Sequence, residues 1–444
     1  MVVNPELSKF WQTAIRSGLI DPEALTSCLE GIDPERLTPR ALDRRLARQA
    51  VARGKLTAWQ AQQLLLGRLK ILRIGKYELL RPIGRGGMGK VYLARDTTLG
   101  RQVAMKLLSG EQGKNPRAVA RFGREARIAG QLQDEHLIRV FDFGETSSAR
   151  YLVMEYIGGK SAARLIEEHG ALPPAIAAEV GRQVALGLEY LHLKGLLHRD
   201  VTPSNMLVDR VGVVKLADLG LAIDLEDAER LTREGSTVGT FDYLSPEQAS
   251  NSRAIGIQSD IYSLGCSLYH MIAGRVPFPA PTLPEKLVAH RIAEAESLEA
   301  LALSCPPGLD AVIRRMMMKD PGGRYAVPTE VAAALEPFAS GTVPLGRVVS
   351  MGGASESSHE AGEAFIIQWL ESDPEADLVE DSDVGFPPLP SSQDVFPVVY
   401  VDERPPTPAG APTDRAPLAR LPASVSQAAR RVIVGSAWLL RRGR

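Results

Sequence analysis

The sequence predicts an α+β chain of two lobes, a small β-rich one and a large helical one, with a helical module ahead and a disordered tail behind. Three observations predict it. Strand-like runs are confined to a window opening at Tyr77; a long apolar helix stripe (Ile176, Val180, Val184, Leu188, Leu191) follows; and regular periodicity ends after Phe338. At 444 residues the chain exceeds one ordinary domain and can bury a full core.

Residues 1–70 read as short helices. Leu7, Phe10, Trp11, Ile15 and Leu19 recur near helical spacing, Asp21-Pro22 starts a second segment, and Thr57 is placed to cap a segment running to Leu66. The arginines 36, 40, 44, 45, 48 and 53 read as a solvated helix face rather than a binding surface. Sequence inspection finds no internal repeat.

Antiparallel strands are expected over Tyr77–Pro82, Val91–Ala94, Val103–Lys106 and Tyr151–Tyr156, with a helix over Arg117–Leu132 between them. The domain so defined spans 77–338. Residues 339–423 read as a disordered linker, since Glu356–Glu403 is acidic and prolines cluster from 387 to 412. Residues 424–444 carry Val425, Ala429, Val432 and Ile433 beside Arg430, Arg431, Arg441 and Arg442. That pattern suits a basic amphipathic helix on an anionic membrane surface, docking on protein, or plain disorder, and the three stay open.

Composition excludes some classes. With 52 basic and 53 acidic residues there is no whole-chain field to attract nucleic acid, so no nucleic-acid partner is expected. Cys28, Cys266 and Cys305 are odd in number and widely spaced, which suits reduced thiols in a cytoplasmic protein. The N-terminus lacks the pattern of an export signal, and the longest apolar stretch near the C-terminus is nine residues, against the roughly 20 needed to span a bilayer. No transmembrane span is expected.

Chemistry concentrates between Ile83 and Arg324. Gly84-Arg85-Gly86-Gly87-Met88-Gly89 has a spacing shared by dinucleotide-binding loops, but those open into a helix, whereas Lys90–Ala94 reads as a strand. The turn should therefore close over phosphates as a strand-turn-strand flap, glycine letting the backbone approach. Lys106 ends a strand 22 residues after Gly84, and a buried lysine needs an anionic partner; Glu125, on the following helix, is the natural candidate. His198-Arg199-Asp200-Val201-Thr202-Pro203-Ser204-Asn205 follows the long apolar helix, and Asp218-Leu219-Gly220 begins eighteen residues after Asp200.

At these residues the chain resembles the eukaryotic-like (Hanks-type) bacterial serine/threonine protein kinases over about 77–338, with Gly239-Thr240, Ser245-Pro246-Glu247, Ser259–Gly265 and Arg324 following in the expected order. The resemblance implies a bilobal protein-kinase-like fold and the roles general to that family, carried over rather than derived from this chain. Asp200 would orient a substrate hydroxyl and accept its proton, Lys106 paired with Glu125 would hold the α- and β-phosphates of ATP, and Asn205 and Asp218 would hold Mg²⁺, with Mn²⁺ as an alternative. ATP would lie against Ile83, Gly84, Arg85, Gly86, Gly87, Met88, Gly89, Val91, Ala104, Lys106 and Leu207, with Met154 behind the base and the backbones of Glu155 and Ile157 on its edge. Glu247 would pair with a buried Arg324, and Asp260 would brace the catalytic loop. Protein substrates, autophosphorylation and signalling are implied too.

Two positions depart from the family pattern. Thr202 stands where serine/threonine kinases usually carry a lysine aimed at the γ-phosphate, which motivates an alternative reading as an ATP-binding pseudokinase or scaffold. Leu219 replaces the usual phenylalanine and keeps the site apolar. Arg199 suggests control by phosphorylation of Thr232, Ser236 or Thr237.

Overall fold

Alternation along three strands decides how the small lobe is covered. The computed structural model describes residues 8–34, 37–86, 89–108, 113, 115–146, 149–219, 240–250, 255–301 and 305–351. Its larger sheet holds β1 (Arg73–Ile74), β2 (Tyr77–Gly86), β3 (Gly89–Asp96), β4 (Gln102–Leu108), β5 (Val140–Glu145) and β6 (Arg150–Met154), in the order β1-β2-β3-β4-β6-β5 with antiparallel neighbours. Tyr92, Met105 and Val153 are register partners across β3, β4 and β6 and point to one face; their neighbours Val91, Lys106 and Leu152 form a row on the other. The outer row packs into one core with the N-terminal helices, while the second faces the helix α5 (Pro116–Ala129) and the cleft.

The N-terminal helices are α1 (Lys9–Ser17), α2 (Pro22–Ser27), α3 (Pro39–Ala52) and α4 (Ala58–Leu65). Asp21 and Thr57 cap α2 and α4 as expected, each accepting a backbone N–H from three residues on. Contrary to expectation, a repeat is present. Ala14, Gly18, Ile20, Asp21, Leu25 and Cys28 recur 36 residues on as Ala50, Gly54, Leu56, Thr57, Ala61 and Leu64. Both glycines end a helix with φ near +65° (66° and 64°), and every apolar member of the two sets is buried. Few identities survive between the copies, so the repeat lives in burial and capping, which letter-by-letter comparison misses.

Nor does this module stand apart from the sheet. Phe10, Leu46, Trp59 and Leu64 share their core with Tyr77, Leu79, Tyr92 and Met105, and the Trp59 and Tyr92 rings lie 5.7 Å apart. A sheet face covered in this way is removed from water by the chain's own N-terminus.

The large lobe is built on α7 (Pro174–Leu193) and α9 (Ile257–Ala273), both packed against one extended apolar core. Against α6 (Ala162–His169) and α7 packs a second sheet, β7 (Gly159–Ser161), β8 (Met206–Asp209) and β9 (Val214–Leu216). Next come α8 (Pro246–Ser250), α10 (Leu283–Ile292), α11 (Pro307–Met316) and α12 (Pro328–Leu335). The expected start of the linker at 339 is corrected by α13 (Thr342–Met351), whose Leu345 and Val349 are buried in the large lobe's core. Its Pro344 and Gly346 hide it from propensity, and tertiary packing of the i,i+4 pair prevails. The remainder of the expected linker and the expected helix over 424–444 lie outside the described residues.

Candidate active site

Asp260, on the first turn of α9, organises the loop that carries Asp200. Its Oδ2 accepts from the His198 N–H and lies beside His192 Nε2, both at 2.8 Å, and its Oδ1 accepts from the Arg199 N–H at 2.7 Å. These bonds hold Arg199 at φ +67°, a conformation disfavoured for a side chain of its size. The fully buried His198 takes the Asp200 N–H on Nδ1 (3.3 Å), which leaves Nε2 to donate to the Ala217 carbonyl at 3.1 Å. Burial holds its imidazole below the usual range and so neutral. The ring thereby links the Asp200 loop to the residue before Asp218.

Asn205 closes the same loop. Its Nδ2 donates to the Asp200 carbonyl and to Asp200 Oδ2, each at 2.9 Å, and its own carbonyl accepts from the Ala217 N–H at 2.8 Å. Asp200 Oδ1 is buried and makes no hydrogen bond among the described residues. Burial pushes the Asp200 carboxyl up to about 6; the Asn205 hydrogen bond opposes that shift and the nearby Asp218 charge adds to it. Asp218, at φ +54°, turns its carboxylate toward the small lobe.

There it meets Lys106. The ammonium lies 2.7 Å from Asp218 Oδ1, and the lysine is 6% exposed. Burial alone would lower its pKa, but the charges of Asp218 and Glu125 outweigh it and hold the lysine above its usual range. The expected Lys106–Glu125 ion pair is therefore corrected: the contact partner of Lys106 is Asp218, and Glu125 acts on it through space. Glu125 instead borders a mostly apolar cavity lined by Ile138, Leu152, Leu216 and Leu219, and burial raises its carboxyl to about 7 against the pull of Lys106. Pairing depends on how α5 lies against the sheet, which no local motif encodes.

Ile83, Val91, Ala104 and Met154 belong to one apolar cluster on the inner sheet face, and Leu207 lies on β8. The Glu155 N–H donates to the Arg139 carbonyl and the Gly159 N–H to the Ile157 carbonyl. Gly84 lies near the end of β2, paired with Val91 of β3. Gly89 serves sheet pairing, because a Cβ there would run into the Leu107 carbonyl of β4. Gly87, Met88 and Gly220 lie outside the described residues, as do the side chain of Arg85 and the phosphorylation candidates Thr232, Ser236 and Thr237.

Two supports match expectation. Arg324, 3% exposed, makes a two-pronged contact with Glu247 (2.7 and 3.0 Å), and Asp260 braces the loop as described. His192 is a support that motif reading missed, since one histidine at a helix end carries no signal of its distant partner.

A protein kinase domain matches residues 77–334, more than half of the chain. Similar curated proteins include a probable serine/threonine-protein kinase of Clostridium perfringens, 39% identical over 261 residues (59% of this chain, 38% of the relative). Another, of Streptomyces coelicolor, is 35% identical over 292 residues (65% and 43%). The serine/threonine-protein kinase PknE of Mycobacterium tuberculosis is 35% identical over 355 residues (80% and 57%). The chain thus spans between 38% and 57% of the length of these relatives.

Proposed function

The chain belongs to the protein kinase family, and from that premise we propose that it transfers the γ-phosphate of ATP to serine or threonine hydroxyls of proteins. The observation that carries the proposal is the convergence of Lys106, Asp200, Asn205 and Asp218, from both lobes, through the contacts Lys106–Asp218, Asn205–Asp200 and Asn205–Ala217.

In this reading Asp200 Oδ1, free of hydrogen bonds, is the acceptor for the substrate hydroxyl proton, while Asn205 fixes the other oxygen. Lys106 exchanges part of its contact with Asp218 for the phosphates. The donors suit a hard divalent cation: Asn205 has spent its amide nitrogen on Asp200 and keeps an oxygen, and Asp218 supplies a carboxylate. Bound Mg²⁺, or Mn²⁺, would neutralise phosphate charge. Aliphatic contacts from Val91, Ala104 and Leu207 would enclose the adenine.

No helix among the described residues is long and apolar enough to cross a membrane. We place the protein in the cytoplasm, a reading supported by three buried free cysteines. Autophosphorylation and signalling roles belong to the same proposal.

Label transfer from γ-³²P-ATP to the chain itself and to a generic basic protein tests it. Asp200→Asn should remove transfer, and Thr202→Lys should raise it, by up to about 100-fold, if the missing cation sets the rate. Label undiminished in Asp200→Asn would refute catalysis at this site.

A further inference from the structure

The N-terminal module touches the strand that carries Gly84 at one irregular point. Leu79 pairs with Ala94 and Arg81 with Leu93, so Leu80 is an extra residue in β2 without a partner on β3. A second extra residue, Ile83, follows at once. Carbonyls at such a bulge lose ladder bonds, and Leu79 and Leu80 are buried, which makes them costly to leave unpaired.

Helix α4 supplies the donors. The Thr57 hydroxyl donates to the Leu80 carbonyl at 2.6 Å, and Gln60 Nε2 donates to the Leu79 carbonyl at 3.0 Å and to Glu78 Oε1 at 2.8 Å. The same two side chains form a capping box, Gln60 N–H to Thr57 Oγ1 and Thr57 N–H to Gln60 Oε1. Capping accounts for the second pair of bonds but not for the first three. The equivalent cap of α2 shows the difference: Asp21 accepts from the Ala24 N–H at an exposed site, and Ala24 stands where the second unit has Gln60.

We propose that Thr57 and Gln60 are positioning residues for the nucleotide: by clamping the bulge at Leu80 they fix the register and direction with which β2 delivers Ile83 and Gly84 to the cleft. A bulge left unclamped can slip by one residue, and such a slip turns the following side chains to the opposite face. Ile83 would then leave the apolar cluster it shares with Val91, Ala104 and Met154. The inference rests on the reading of this cleft as an ATP site, and its test separates the two.

The probe is mant-ATP with Mg²⁺, titrated into the full chain and into Thr57→Val, Gln60→Met, Thr57→Ser and Asp21→Ala. Thr57→Val and Gln60→Met should each weaken binding about fivefold, the worth of one hydrogen bond, and raise KM for ATP with KM for the protein substrate unchanged. Asp21→Ala loses a helix cap of the same kind and should lower thermal stability without changing the dissociation constant. Thr57→Ser retains the hydroxyl and should bind like the natural chain. Unchanged affinity in both Thr57→Val and Gln60→Met, an equal loss in Asp21→Ala, or a full loss in Thr57→Ser overturns the positioning role. Failure of the natural chain to bind mant-ATP would overturn the kinase reading together with it.

Discussion

Glu247 and Arg324, 77 residues apart, meet in the large lobe with both carboxylate oxygens matched to the two terminal guanidinium nitrogens. The remaining Arg324 donors reach the carbonyls of Met318, Gln258 and Lys319, so the guanidinium ties three segments together. Glu247 is held below the usual carboxylate range: burial works against this, and hydrogen bonds from Arg324 and Ser259 overcome it. Replacing Arg324 by Met strands a buried carboxylate and is expected to cost about 3–5 kcal/mol, read as a lowered urea midpoint. A midpoint within experimental error of the natural chain would contradict this.

His290 on α10 makes acid a selective stress. It is fully buried between Tyr262, whose hydroxyl lies 3.0 Å from Nδ1, and Phe278, with Lys319 and Lys286 nearby. Burial first, and those lysines second, push its pKa down to about 4. The folded state thus holds a neutral ring, while the unfolded chain takes up a proton near pH 6.5. Stability from this group is complete above about 6.5 and drains away as pH falls toward 4, by up to about 3 kcal/mol. His290→Asn should flatten that part of the stability–pH curve measured by urea titration; an unchanged slope would remove His290 as its source.

Leu345 tests where the folded domain ends. It is fully buried in the large lobe's core from a helix beyond the matched kinase region. Leu345→Ala is expected to destabilise by about 2–5 kcal/mol. An ordinary linker position would show almost no effect in the same urea titration.

What the sequence made legible was local chemistry. The four expected strands form, each within a few residues of its expected limits, because β-branched and aromatic runs there are bounded by turn residues. Asp200, Asn205 and Asp218 come together because a short loop and one hairpin connect them. Less legible was anything set by how elements lie on one another. The need of a buried lysine for an anionic partner points from Lys106 to Glu125 on the following helix, whereas its contact is Asp218. The strand β5 was missed because Val140-Phe141-Asp142-Phe143-Gly144-Glu145 has a glycine and two acids among its apolar residues. The twofold helical unit is hidden in the sequence because small residues and caps, rather than shared letters, define it.

The central strands turn Met105 toward the N-terminal helices on one face and Lys106 toward Asp218 on the other. Thermodynamic reciprocity requires that any strengthening of nucleotide affinity by the N-terminal helices be returned as equal strengthening of their attachment when nucleotide binds. A protease attacking the chain between α2 and α3 would then sense, from outside, whether the opposite side is loaded.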